Sequence, residues 1–213
     1  KRLSTNFQIK ENYFSDISIE NKQIGKALRF LIPYNEFKNF ENVYIGDVDF
    51  LIVKENPSLL EAHLAHCRKI DLPYSNQIRP NSQRLTGLHF FQVKPYYQKM
   101  NSIIEYYRKN PIILAKTIEE LIGNEQFLYQ ITKKEIGFGK MDSYQYRPHH
   151  GIHLGIIRND SRRFRNYVNN GPNNMFHKLP DYRIIKKQLL EYFNDPLFKD
   201  MISIHSIREL SIL

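Results

Sequence analysis

The apolar positions along this chain change period several times, and each change marks an element. Residues 24 to 32, "IGKALRFLI", space their apolar side chains as a short amphipathic helix that Pro33 stops. "VYIGDVDFLIV" (43 to 53) is β-branched and apolar on both faces, which predicts a central strand. "ENPSLLEAHLAHCRKI" predicts a helix with Asn56 as N-cap and Pro57 at its first position. Loop formers then fill "YSNQIRPNSQR" (74 to 84). "LTGLHFFQV" (85 to 93) predicts a second strand, and "KPYYQKMNSIIEYYRK" a helix opened by Pro95. "PIILAKTIEELI" and "NEQFLYQITKK" predict two helices parted by Gly123 and Asn124. "RPHHGIHLGIIR" (147 to 158) is partly extended, "NNGPNN" is a loop, and "YRIIKKQLLEYF" begins a helical tail spanning 175 to 213. Strands interleaved with helices predict one α/β domain over residues 1 to 213, with no segment that reads as a linker.

Two aspartates interrupt the first strand. If the run is one strand, Asp47 and Asp49 lie at i and i+2 and project from the same face. Unpaired carboxylates there would be costly, so they need a cation. Two hard oxygen donors suit magnesium or manganese, which also grips a phosphate. Gly46 permits a bend before them. The alternative is a solvated edge strand. A second set follows about a hundred residues on: His149, His150 and His153, with Gly151 and Gly155 beside them. Imidazole is a manganese or zinc ligand, and glycine lets backbone N–H groups approach phosphate oxygens. Arg147, Arg158, Arg162, Arg163 and Arg165 give the segment a positive field suited to a diphosphate. His63, His66 and Cys67 share helical spacing, but lack an evident fourth zinc ligand and read as an ordinary helix face.

Composition adds bounds. The 213 residues carry 31 Lys and Arg against 22 Asp and Glu, net +9, which suits an anionic partner or simple solubility. One cysteine excludes an internal disulfide framework and suits a reducing compartment. No apolar run reaches membrane-spanning length and no signal-peptide pattern opens the chain, so the expected location is cytoplasmic. Lys186 and Lys187 in the tail would suit peripheral contact with an anionic inner membrane face. The first residue is not Met, which suggests a processed or partial chain. Walker, nucleophile-elbow and dinucleotide fingerprints are missing from the sequence.

Taken in order, "YIGDVDFLIV", "RLTGLHFFQVKPYYQKM", "NEQFLYQI" and "HHGIHLG" resemble a GT-A-fold nucleotide-sugar glycosyltransferase, in particular the family-eight-like bacterial enzymes of lipooligosaccharide and capsule synthesis. The resemblance covers residues 24 to 158. It implies a Rossmann-like mixed central sheet flanked by helices, preceded in such enzymes by a nucleotide-binding βα unit that these residues supply only in part. It implies a Mn2+ or Mg2+ ion held by Asp47, Asp49 and His150 or His153. It implies a sugar pocket lined by Thr86 and Gly87, with His89 nearby, and Glu125 and Gln126 beside the reacting sugar. Asp47, Gly151, Gly155 and Arg158 would contact the donor, and Arg79 and Arg84 the donor or acceptor. The implied partners are a nucleotide diphosphate sugar, UDP-linked by expectation, and a glycan or glycolipid acceptor, with retention of configuration; nucleic acid is not expected. The chain departs from the family where Gly follows the His at two residues rather than three, where Arg158 replaces a Lys, and in having no Trp.

Two rival readings have their own signatures. "GDVDFLIV" also resembles the Asp-x-Asp strand of nucleotidyltransferases, which need an upstream Gly-Ser turn where this chain has "YNEFKNFEN". A basic glycan- or nucleic-acid-binding domain without catalysis would bind polymers in a salt-sensitive, metal-independent way.

Overall fold

The computed structural model describes residues 9–15, 17, 22–47, 50–52, 56–121, 123–142, 148, 152–153, 182–192 and 194–196. The chain divides into two compact units, Lys1–Ile45 with Ile70–Tyr146, and Gly46–Lys69 with Arg147–Leu213. The described elements are mixed α and β.

In the first unit the sheet is small and antiparallel. Strand β1 (Asn42–Ile45) pairs with β4 (His89–Gln92), which pairs on its other side with β3 (Tyr74–Ser75). The register sets Ile45 opposite His89 and Val43 opposite Phe91. β4 is therefore the middle strand, and its His89, Phe90 and Phe91 are all buried. β1 lies at an edge of this sheet among the described residues, with half-buried positions throughout, and not at the centre as its apolar flanks suggested.

Helices cover this sheet because their apolar stripes require it. α1 (Lys22–Leu28) buries Ile24, Ala27 and Leu28. The single turn α2 (Tyr34–Phe37) follows Pro33. α4 (Val93–Lys109) buries Tyr96, Tyr97, Met100, Ile103 and Ile104, a stripe at i, i+4 and i+7 spacing. α4 starts two residues before Pro95, whose missing N–H is harmless within a first turn. α5 (Pro111–Glu120) has Pro at its start and buries Leu114 and Ile118; α6 (Asn124–Glu135) buries Phe127, Leu128 and Ile131. Aromatic packing ties sheet to helix: Phe91 stacks on Tyr96 with centroids 4.3 Å apart. Burying each such ring stabilises the fold by about 2 kcal/mol.

The second unit contains β2 (Phe50–Leu51), β5 (Ile152–His153), α7 (Tyr182–Tyr192) and most of α3 (Leu59–Ile70). Here the structure corrects the single strand expected over 43 to 53. β1 ends at Ile45, and β2 pairs instead with β5, Phe50 opposite His153 and Leu51 opposite Ile152. Between the two strands the Phe50 N–H donates to Asp47 O at 3.2 Å. The helix start is corrected too. Ser58, not Asn56, caps α3: its N–H donates to Glu61 Oε2 at 2.9 Å while Ser58 Oγ accepts the Glu61 N–H at 3.4 Å. Among the described residues no helix is long and apolar enough to cross a membrane.

Candidate functional site

The residues picked from sequence fall into two groups. In the first unit they converge on Glu125, in the first turn of α6, where a carboxylate is favoured by the helix dipole. Glu125 Oε1 accepts from Arg79 Nη2 at 2.9 Å and from the Gly87 N–H at 3.2 Å. Arg84 Nη1 lies 3.9 Å from Oε2. The backbone joins in, since the Leu85 N–H donates to Glu125 O at 3.3 Å. A carboxylate so placed is an anion oriented by two guanidinium groups and an N–H. That suits charge balancing at a reacting centre better than proton abstraction.

The loop carrying Arg79 and Arg84 is a closed hairpin. Ile78 bridges to Leu85, the Arg79 N–H donates to Arg84 O at 2.9 Å, and Ser82 donates to Arg79 O through both N–H and hydroxyl. The two guanidinium groups thus start from backbone positions fixed opposite each other across the hairpin.

Beneath it lies a buried polar network. Asn76 Oδ1 accepts the Gln77 N–H at 2.6 Å and the Thr86 N–H at 2.9 Å. Asn76 Nδ2 donates to Thr86 O at 3.1 Å and to His89 Nδ1 at 2.9 Å. The backbone partners fix the amide's orientation, since only this orientation matches donors to acceptors. The Thr86 hydroxyl lies between Asn76 Oδ1 (2.8 Å) and Leu88 O (2.9 Å). Because His89 Nδ1 accepts, Nε2 carries the proton and donates to Tyr96 OH at 3.2 Å. Burial, helped by the Arg29 charge, pushes the His89 pKa down to about 3, so the ring is neutral. Thr86 and His89 are therefore interior supports that hold the chain on either side of Gly87 and Leu88 in place.

At Gly87 an added side chain would meet the tip of Arg29. A Cβ there would stand 2.5 Å from Arg29 Nη2 and 3.8 Å from Glu125 Oε1. Arg29, which sits after α1 with its guanidinium 4.9 Å from the Phe30 ring centroid, is a site residue that sequence reasoning missed. Its one signal was a cation inside the apolar run "ALRFLI". Asn76 was missed as well, because an Asn beside a loop usually means a turn. Gln126 points elsewhere, lining a cavity of about 220 Å³ with Gln83, Leu121, Tyr129, Gln130 and Lys133.

The second group belongs to the other unit. Asp47 lies between β1 and β2 and in neither strand, so the period-two argument does not govern it. The β2–β5 register sets position 153 opposite position 50, which Asp47 contacts through its backbone. Asp49, His150, Gly151, Gly155 and Arg158 lie outside the described residues. Among the described residues no group of three or more His, Cys, Asp or Glu side chains is arranged to hold a metal ion. His63, His66 and Cys67 are all buried along α3, as an ordinary helix face would be.

Comparison with protein-family models, with curated proteins and with solved structures found no match to this chain.

Proposed function

We propose that this chain is a glycosyltransferase of GT-A type that moves a sugar from a nucleotide diphosphate donor to a glycan or glycolipid acceptor, with manganese or magnesium bound by Asp47, Asp49 and His153 or His150. The observation that carries the reading is the convergence on Glu125. Arg84 and Gly87 stand together in "RLTGLHFF" and Arg79 in the loop before it, and all three meet a carboxylate 38 or more positions away in "NEQFLYQI".

In this reading Glu125 faces the sugar and stabilises positive charge developing at its anomeric carbon. The Gly87 N–H and the Arg79 guanidinium hold the carboxylate in place, and Thr86, Asn76 and His89 keep that N–H aimed. The bound metal would neutralise charge on the departing diphosphate. Arg158, Gly151 and Gly155 are assigned to donor phosphate contacts, Gln126 to the reacting sugar beside Glu125, and the reaction to cell-surface polysaccharide synthesis at the cytoplasmic membrane face. The test is turnover of UDP-sugars with and without manganese. Asp49→Ala is expected to lower metal-dependent turnover by about a hundredfold or more while leaving the circular dichroism spectrum unchanged. Full activity in that variant, or turnover indifferent to metal, would end the proposal.

A further inference from the structure

The charge balance around Glu125 leaves something unexplained. Two guanidinium groups on one hairpin address one carboxylate, Oε1 at 2.9 Å from Arg79 and Oε2 at 3.9 Å from Arg84. The pairing of Arg79 and Arg84 is set by the backbone of the closed hairpin, so it is not a chance meeting of two long side chains. Both side chains are also almost half exposed, which keeps their outer edges accessible to a ligand.

A neutral sugar presents hydroxyl groups that must donate as well as accept. Guanidinium groups only donate, and Glu125 is the acceptor they already engage. The ligand best matched to such donors is one that only accepts and carries a negative charge. Its shape is indicated by the group now held: a planar carboxylate, one oxygen toward each arginine.

We propose that Arg79 and Arg84 recognise the carboxylate of an acidic sugar of the uronic-acid class. The inference rests on the glycosyltransferase reading only for its place in the reaction, where it makes the bound sugar an acidic one. Arg79 and Arg84 would share their donor edges between Glu125 and the sugar carboxylate, giving two anions for two cations.

The experiment is a ligand-observed NMR titration of the whole chain, without metal, using free glucuronate, glucose and inorganic phosphate. Glucuronate is expected to bind about tenfold tighter than glucose or phosphate. The double variant Arg79→Met with Arg84→Met should lose that preference. Arg84→Lys keeps the charge but loses the fork, and should lose most of it. Equal affinity for glucuronate and glucose, phosphate binding as tight as glucuronate, or a preference surviving in the double variant would each overturn the inference. A parallel titration with UDP, with and without manganese, separates the two claims. Failure of UDP to bind with metal counts against the transferase and leaves a measured glucuronate preference standing. UDP binding with no such preference counts against the acidic sugar alone.

Discussion

Residues 76 to 89 and residues 47 to 61 each set polar groups beside short apolar strands, yet the two regions are held by opposite means. In the first, Asn76, Thr86 and His89 are buried and bond to one another and to the backbone. In the second, Asp47 is half-buried outside any strand, β2 and β5 share two paired positions, and the Ser58–Glu61 cap stands in water. A buried polar group without a partner loses a hydrogen bond that water would have supplied, so a buried cluster must be complete and specifies one geometry. An exposed cluster falls back on water and specifies less. The region that holds Glu125 is thus fixed by its own buried bonds, while water can satisfy the exposed Glu61 carboxylate of the other.

The largest effect is expected of Asn76→Leu. It strips the Gln77 and Thr86 N–H groups, the Thr86 carbonyl and His89 Nδ1 of their shared partner in one step. The expected loss is about 3 kcal/mol, read as a lower urea midpoint. A loss below about 1 kcal/mol would mean that the network is not what holds the turn.

Next in size is a pH effect at His89. Its folded pKa is pushed down to about 3 from an ordinary 6.5, so the unfolded chain takes up a proton more readily than the fold between those values. The stability it contributes is therefore complete above pH 6.5 and is lost as pH falls toward 3. From pH 7 to pH 5 the expected loss is about 2 kcal/mol. His89→Phe, compared with the parent over the same range, should flatten that slope. An unchanged slope would place the titration elsewhere.

What the sequence revealed of all this depends on where each residue's partners lie. The stripe of α4 was legible because its apolar positions repeat within one element, so Tyr96, Met100 and Ile103 identify the core side without outside help. Glu125 stood out as a candidate because four short motifs follow one another in an order that resembles a known family. The break after Ile45 was not: "VYIGDVDFLIV" has the same apolar character on both sides of Gly46, and only pairing partners distinguish one long strand from two short ones. Position 50 finds its partner at 153, and no periodicity within eleven residues encodes that. Arg29 and Asn76 escaped for the same reason, since their roles appear only when Gly87, Thr86 and His89 are placed beside them.

The smallest predicted effect tests the exposed side of the comparison. At the start of α3, the Ser58 hydroxyl donates to Glu61 Oε2 at 2.7 Å and accepts the Glu61 N–H. These bonds hold the Glu61 carboxyl below its ordinary range, the direction expected for an anion that accepts hydrogen bonds. Ser58→Ala removes the hydroxyl but keeps the Ser58 backbone N–H that Glu61 also accepts. Water replaces the rest. The expected cost is about 0.5 to 1 kcal/mol by urea unfolding, toward the low end for a lost cap. Asn76→Leu also deletes side-chain bonds to backbone, and should cost several times more because the Thr86 and His89 groups it leaves behind are buried. Were the two variants to cost the same, burial would not be what separates these regions, and the case that buried bonds fix the region holding Glu125 would lose its physical basis.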